Sequence, residues 1–166
     1  MTEEIIEVTI DKLIGVSPDG AAVFLKSTEK TFVIFIGSTE GEALARAVQE
    51  QDTPRPLTHD LLRSILIGFD LKITKVIISE ILDSAFCSTL VLIQTGVDKD
   101  DLRSEVRIDC RPSDAFVLSA RLGFPIHVSR SVLDQVNDVT DLGIADIPFP
   151  DFPPISEMDP TEDEEN

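Results

Sequence analysis

The chain predicts an α+β fold: a single compact domain with a mixed, largely antiparallel sheet packed with three to four helices, and a disordered acidic C-terminal tail. Three observations carry this. Strand-like runs come in groups joined by short turns, giving the order β-β-β-α-α-β-β-β-α-β-α rather than the strict alternation of a doubly wound sheet. The 166 residues are 42% hydrophobic with a mean hydropathy of +0.11, enough for one core. After Asn137 the texture changes to prolines (148, 150, 153, 154, 160) among acids, ending in TEDEEN, a composition that cannot bury apolar surface. The expected division is therefore a domain over 1–137 and a tail over 138–166.

Residues 5–16 are rich in β-branched side chains and predict a strand. Ser17-Pro18-Asp19-Gly20 is a turn signal. Residues 21–27 and 31–37 complete an antiparallel meander. Gly37 to Glu40 opens a helix with Ser38 or Thr39 as N-cap and Glu42 in capping-box position to Thr39. It runs to about Glu50 with Ala43, Leu44, Ala47 and Val48 at helical spacing. A connector over 51–56 leads to a second helix, 57–69, with Leu61, Leu62, Ile65 and Leu66 as its buried face. Residues 71–82 and 85–95 form a hairpin through Asp83-Ser84. Residues 96–104 are a polar loop and 105–110 a short strand. A third helix spans 112–123, Phe124-Pro125 breaks it, 126–129 is a last short strand, and 131–136 a final helical turn or two.

Composition narrows the function. The net charge is −17, of which 138–166 holds ten acids and no bases, leaving −7 for 1–137. That is not the basic footprint of a protein that grips nucleic acid through phosphate neutralisation. With no Trp or Tyr and nine scattered Phe, an aromatic platform for single strands is unsupported. No apolar run spans a bilayer, and the N-terminal MTEEIIEV is acidic where a signal peptide is basic, so the expectation is cytoplasmic, with no membrane partner. Cys87 and Cys110 lack CxxC spacing and nearby His, which predicts reduced core thiols and argues against zinc. GxxxxGK[ST], GxGxxG, HExxH and GxSxG are absent, so no nucleotide or organic cofactor is expected.

Two segments share a plan: RPLTHDLL (55–62) and DCRPSDAFVLSAR (109–121). Each sets Arg-Pro, a hydroxyl residue and an Asp ahead of an apolar helix. Pro, Thr58, Ser113 and an early Asp are what a helix start needs. That accounts for much of the pattern, with Thr58 as N-cap. The surplus is chemical. His59 can act as general base or acid, and Asp60 can ligate a divalent metal. Asp109, ending a strand, and Asp114, beginning a helix, can converge as carboxylates for a hard cation such as Mg²⁺ or Mn²⁺. Arg55 and Arg111 can clamp phosphate, and Arg121 lies two turns beyond Asp114 on the same helix face. Glu40 is a weaker candidate metal ligand. The opposing reading is an Arg-carboxylate network that only ties strand to helix.

The runs FVIFIGSTEGEALARAV, PRPLTHDLL, VIISEILDSAFCSTLVL and IDCRPSDAFVLSARLGFPIHV, in this order over about residues 5–136, resemble the bifunctional nuclease domain family. The resemblance implies nuclease action on RNA and DNA, a compact α+β domain and homo-oligomers. Glu40 stands at its helix-opening glutamate. Arg55, Pro56, Thr58, His59 and Asp60 match its PRPLTHDL block, and Asp109, Arg111, Pro112, Ser113, Asp114 and Arg121 its D-x-RPSDA block and following Arg. The chain departs at Gly41, where Ala is usual, and at Cys110, Phe116 and Ser119, all small or packing positions.

Two functions follow. In one, the chain is a phosphodiesterase: His59, Asp60, Asp109 and Asp114 are catalytic, and Arg55, Arg111, Arg121, Thr58 and Ser113 bind substrate. Asp109, Asp114 and Glu40 then hold a divalent metal. In the other, it is a non-enzymatic binding or regulatory module whose acidic tail or a sheet edge contacts a protein partner.

Overall fold

A computed structural model describes residues 4–17, 20–96 and 105–141. Its elements are β1 (Ile5–Ser17), β2 (Gly20–Lys26), β3 (Thr31–Ile36), α1 (Ser38–Val48), α2 (Thr58–Gly68), β4 (Leu71–Leu82), β5 (Ala85–Gln94), β6 (Glu105–Cys110), α3 (Pro112–Leu122), β7 (Ile126–Ser129) and α4 (Arg130–Gln135). The predicted α+β class and element order are observed, with ends shifted by a residue or two. The tip of the first turn (18–19), most of the 96–104 loop and the tail beyond Asp141 lie outside the described residues.

The seven strands form one sheet in the order β3-β2-β1-β7-β4-β5-β6. Every pairing is antiparallel except β4 with β7. β6 and β7 consequently run the same way, and parallel strands need a crossover. α3 supplies it, and its Pro112, Ala115, Phe116, Val117 and Leu118 are buried. Gly123 closes α3 at φ 75, a left-handed cap that glycine adopts without strain.

β1 is shared between two halves of the sheet. Ile5 to Val8 pair with β7, and from Thr9 onward the strand pairs with β2, with a register shift between Ile10 and Lys12. Such irregularities bend a strand and increase its twist. The sheet curls accordingly, and its two edges approach: Arg111, directly after β6, meets Glu40, in the first turn of the helix that follows β3, at 2.9 Å. Val76, Ile78, Leu90 and Leu92 on the concave side join Leu44, Phe116 and Leu133 in one core. α1 packs on α3, β1 and β2.

The structure corrects three local expectations. Gly37 is the N-cap of α1 and Ser38 is already helical, with no side-chain cap. Glu42 pairs with Arg46 at 3.1 Å instead of closing a box with Thr39. A Cβ at position 37 would strike the Glu40 carboxylate, so glycine here gives that carboxylate room over the chain. Likewise Leu57, not Thr58, caps α2, because Asp60 Oδ2 accepts the Leu57 N–H at 3.0 Å and the helix is anchored by its third residue. The predicted buried face of α2 is not buried. Leu61, Leu62 and Ile65 are exposed and only Leu66 is half-buried against the core.

Asp138 and Thr140, assigned by composition to the tail, accept the Thr31 N–H at 3.2 Å each, and Val139 N–H donates to Thr31 O at 2.8 Å. Arg130 ties α4 to Glu4 and Glu29 at 3.1 and 2.8 Å. No helix among the described residues is long and apolar enough to cross a membrane.

Candidate functional site

The chain entering α2 and the chain entering α3 face each other across a cleft of about 570 Å³, lined by Glu40, Thr58, His59, Arg111 and Asp114 among others. Helix starts gather polar groups because their first N–H groups need acceptors. Here two such starts, together with the first turn of α1, open on one space.

Four side chains form a continuous polar chain. Glu40 Oε1 lies 2.9 Å from Arg111 Nη1. Arg111 Nε donates to Asp114 Oδ2 at 3.2 Å. Asp114 Oδ1 lies 3.3 Å from His59 Nε2. An ionised carboxylate only accepts, so in the neutral ring this contact selects the tautomer with the proton on Nε2 and the lone pair on Nδ1. The His59 side chain is 17% exposed and that of Arg111 67%, so the imidazole is shielded while the guanidinium meets solvent. The Asp114 hydrogen bond, then its charge and that of Glu40, hold Arg111 still more firmly protonated.

The remaining candidates separate from this chain. Asp60 accepts from Leu57 and lies 3.9 Å from Arg121 Nε, while Arg121 also donates to Gln51 O at 3.0 Å. Both side chains tie the start of α2 to α3 and the connector. Arg55 is exposed, and among the described residues no ion pair engages it. Ser113 is buried and faces a second cleft of about 420 Å³ that shares Glu40 and Arg111 with the first.

Asp109 does not join Asp114. It pairs across from Thr89, while its neighbours Ile108 and Cys110 pair with Leu90 and Ser88, which are buried. Strand alternation therefore sends Asp109 to the opposite face of the sheet, where it is exposed. Cys87 and Cys110 are free thiols, each half-buried. Burial pushes the Cys110 thiol above its ordinary value, against the Ser88 hydrogen bond.

Among the described residues, no group of three or more His, Cys, Asp or Glu side chains is arranged to hold a metal ion. Glu40 and Asp114 are the two carboxylates in the cleft, and Arg111 stands between them. These donors do not make a preformed cation cage, which needs several oxygens converging without a guanidinium. Arg111 itself was foreseen as a phosphate clamp; its bridging of Glu40 was not, because the two lie on opposite edges of the sheet.

Two curated relatives, from two strains of Mycobacterium tuberculosis and both described as uncharacterized, are 32% identical over 102 residues, covering 61% of this chain and 56% of theirs. Bifunctional nuclease 2 of Oryza sativa subsp. japonica is 28% identical over 91 residues, covering 54% of this chain and 26% of the rice protein. The chain thus spans about half the length of the mycobacterial relatives and a quarter of the rice one. The profile of the bifunctional nuclease domain matches residues 23–140, which takes in both helix entrances and the whole polar chain from Glu40 to Asp114, and the chain belongs to that family.

Proposed function

We propose that the protein hydrolyses phosphodiester bonds of RNA, DNA or both, with His59 as the proton-transfer group. The observation that carries this reading is the Asp114–His59 pair opening on a cleft beside an exposed Arg111. Asp114 orients the ring and fixes the proton on Nε2. Nδ1 then takes the proton of the attacking water or hydroxyl as its oxygen bonds to phosphorus, and the imidazolium returns a proton to the leaving oxygen as the old P–O bond breaks, a role worth roughly 10²–10⁴ in rate. Arg111 receives a non-bridging phosphate oxygen, and Arg55 contacts the neighbouring phosphate. Thr58, at the cleft wall, is a further hydrogen-bonding group for substrate. An acidic protein can bind a polyanion at such a local cationic point even without a basic face.

Divalent metal is a separate proposal. Since Arg111 occupies the space between Glu40 and Asp114, a cation would bind there only after the guanidinium moved onto substrate. The step described above uses only the chain's own residues.

The test is hydrolysis of fluorescent single-stranded RNA and DNA oligonucleotides by the full chain, with His59→Gln compared at matched circular dichroism. Loss of cleavage in a folded variant supports the reading, and unchanged cleavage sinks it. Chelator separates the metal proposal: activity that persists in EDTA removes the cation and leaves the His59 mechanism.

A second reading has its own observation. The Glu40–Arg111–Asp114–His59 chain is internally satisfied, as a structural network tying α1, α2 and α3 would be. In that case the domain binds or regulates without chemistry, and its acidic C-terminal segment contacts a protein partner. His59→Gln then lowers stability and there is no wild-type cleavage to lose.

A further inference from the structure

The cleft that Ser113 faces, about 420 Å³, takes no part in proton transfer at His59, yet it shares Arg111 with the His59 cleft. Its volume is typical of sites that take one small organic group. Phe35, Ile36, Ala85 and Phe86 give it apolar walls, and Ser84 and Ser113 add two hydroxyls. Arg111 stands where the two clefts meet.

The Phe residues are scattered in sequence, but the fold brings one from β3 and one from β5 to this opening. Strand alternation buries Phe32 and Ile34 in the core and sends Phe35 out of it. Phe35 is 78% exposed, more than any other large apolar side chain among the described residues. Phe86 is half-buried and packed against the core, so it is a fixed wall. β3 is an edge strand, paired with β2 alone among the described strands. Alternate N–H and C=O groups along its other side therefore have no strand partner where it borders the cleft.

An exposed aromatic ring, a short row of backbone donors and acceptors, and a guanidinium at one end match the three parts of a nucleotide. Its base has a π-face for the ring and a hydrogen-bonding edge for the strand, and its phosphate suits the guanidinium. A purely apolar ligand would leave Arg111 and the strand edge unmatched. We propose that this cleft is a base subsite, which takes the nucleobase next to a phosphate held on Arg111, with Phe35 as the stacking ring. This rests on Arg111 as the phosphate contact of the proposed function and extends that function to the base. It makes unpaired nucleotides the substrate, because a base inside a duplex must leave its stack to enter a pocket.

Calorimetric titration of the full chain with adenosine 5′-monophosphate and with ribose 5-phosphate tests it, because the two differ only in the base. The monophosphate should bind about tenfold more tightly or better, the size expected of one base on one aromatic ring. Phe35→Ala should weaken the monophosphate to the level of ribose 5-phosphate, whose own Kd holds, and Phe35→Trp should keep the difference. Phe35 is exposed, so circular dichroism should be unchanged in both variants. Phe69→Ala, nearly as exposed but lining neither cleft, should bind both probes as the wild type does. Equal Kd for the two probes, no binding of either at millimolar concentration, or a monophosphate Kd untouched by Phe35→Ala overturns the subsite. So does an equal loss in Phe69→Ala. Where the wild type cleaves oligonucleotides, an abasic residue beside the cleaved phosphate should slow cleavage about tenfold or more. Equal rates with and without that base overturn the subsite and leave the nuclease reading. Base-dependent binding that Phe35→Ala removes, with no cleavage by any form, leaves the subsite standing and removes the nuclease reading.

Discussion

His59 of α2 and Asp114 of α3 are 55 residues apart in sequence and 3.3 Å apart in space, with Nε2 of the imidazole facing Oδ1 of the carboxylate. The pair has the geometry of a base and its orienter. Asp114 also accepts from Arg111, so one carboxylate positions both the imidazole and the guanidinium to which the proposed function gives proton transfer and phosphate binding.

Asp114→Asn tests that double role. The amide keeps the shape but can present N–H as well as C=O, so the ring is no longer confined to one tautomer. Cleavage is expected to fall about a hundredfold or more, with stability changed by only ~1 kcal/mol because the pair is partly exposed. Rate measurements paired with thermal melts check it.

Glu40 holds Arg111 at 2.9 Å and, under the proposed function, competes with substrate for it. Glu40→Gln removes that competitor, so KM for oligonucleotide is expected to fall severalfold while kcat holds. If Glu40 instead holds an essential cation, kcat collapses. Gly37→Ala approaches the same question from the backbone, because the added methyl would push the Glu40 carboxylate aside. It should shift KM in the same direction as Glu40→Gln.

His127 lies on the face of the sheet away from the cleft, and burial pushes its imidazole below the ordinary 6.5. Its Nδ1 is buried without a partner among the described residues. The unfolded chain therefore binds a proton that the folded chain resists. This contribution to stability is whole above about pH 6.5 and declines as pH falls through that value toward the folded pKa. Melts at pH 7.5 and 5.5 should show a larger drop in Tm for wild type than for His127→Gln.

Gly123→Ala places a Cβ at φ 75 without meeting any atom within 4 Å. The cost is conformational alone, about 1 kcal/mol, or roughly 2–4 °C in Tm. A chemical denaturation midpoint reports it. Catalysis should be unaffected, since the cap lies at the far end of α3 from Asp114.

The fold was largely legible because its signals are local. The hairpin of β4 and β5 announces itself by β-branched runs on either side of Asp83-Ser84, and α3 by Pro112 and Gly123 at its two ends. The members of the site were legible for the same reason, since Glu40, His59, Arg111 and Asp114 all stand at helix starts, but not their joining into one chain. Asp109 was misplaced because sequence shows that a carboxylate ends a strand but not which face it takes. That is set by the pairing of β6 with β5, a tertiary fact. The apolar stripe of α2 was read as core for a similar reason: periodicity reveals an apolar face and not what covers it.

The curl of the sheet has a consequence for the order in which function appears. Glu40 follows the strand at one edge and Arg111 the strand at the other, so their 2.9 Å contact is a clasp that shuts only when all seven strands are in place. A chain still emerging from synthesis can form the β1–β3 meander and α1, but it has no partner for Glu40 until residue 111 exists. The cleft is therefore among the last features to assemble. It is also among the first to be lost if either edge frays, so activity should vanish during unfolding before secondary structure does.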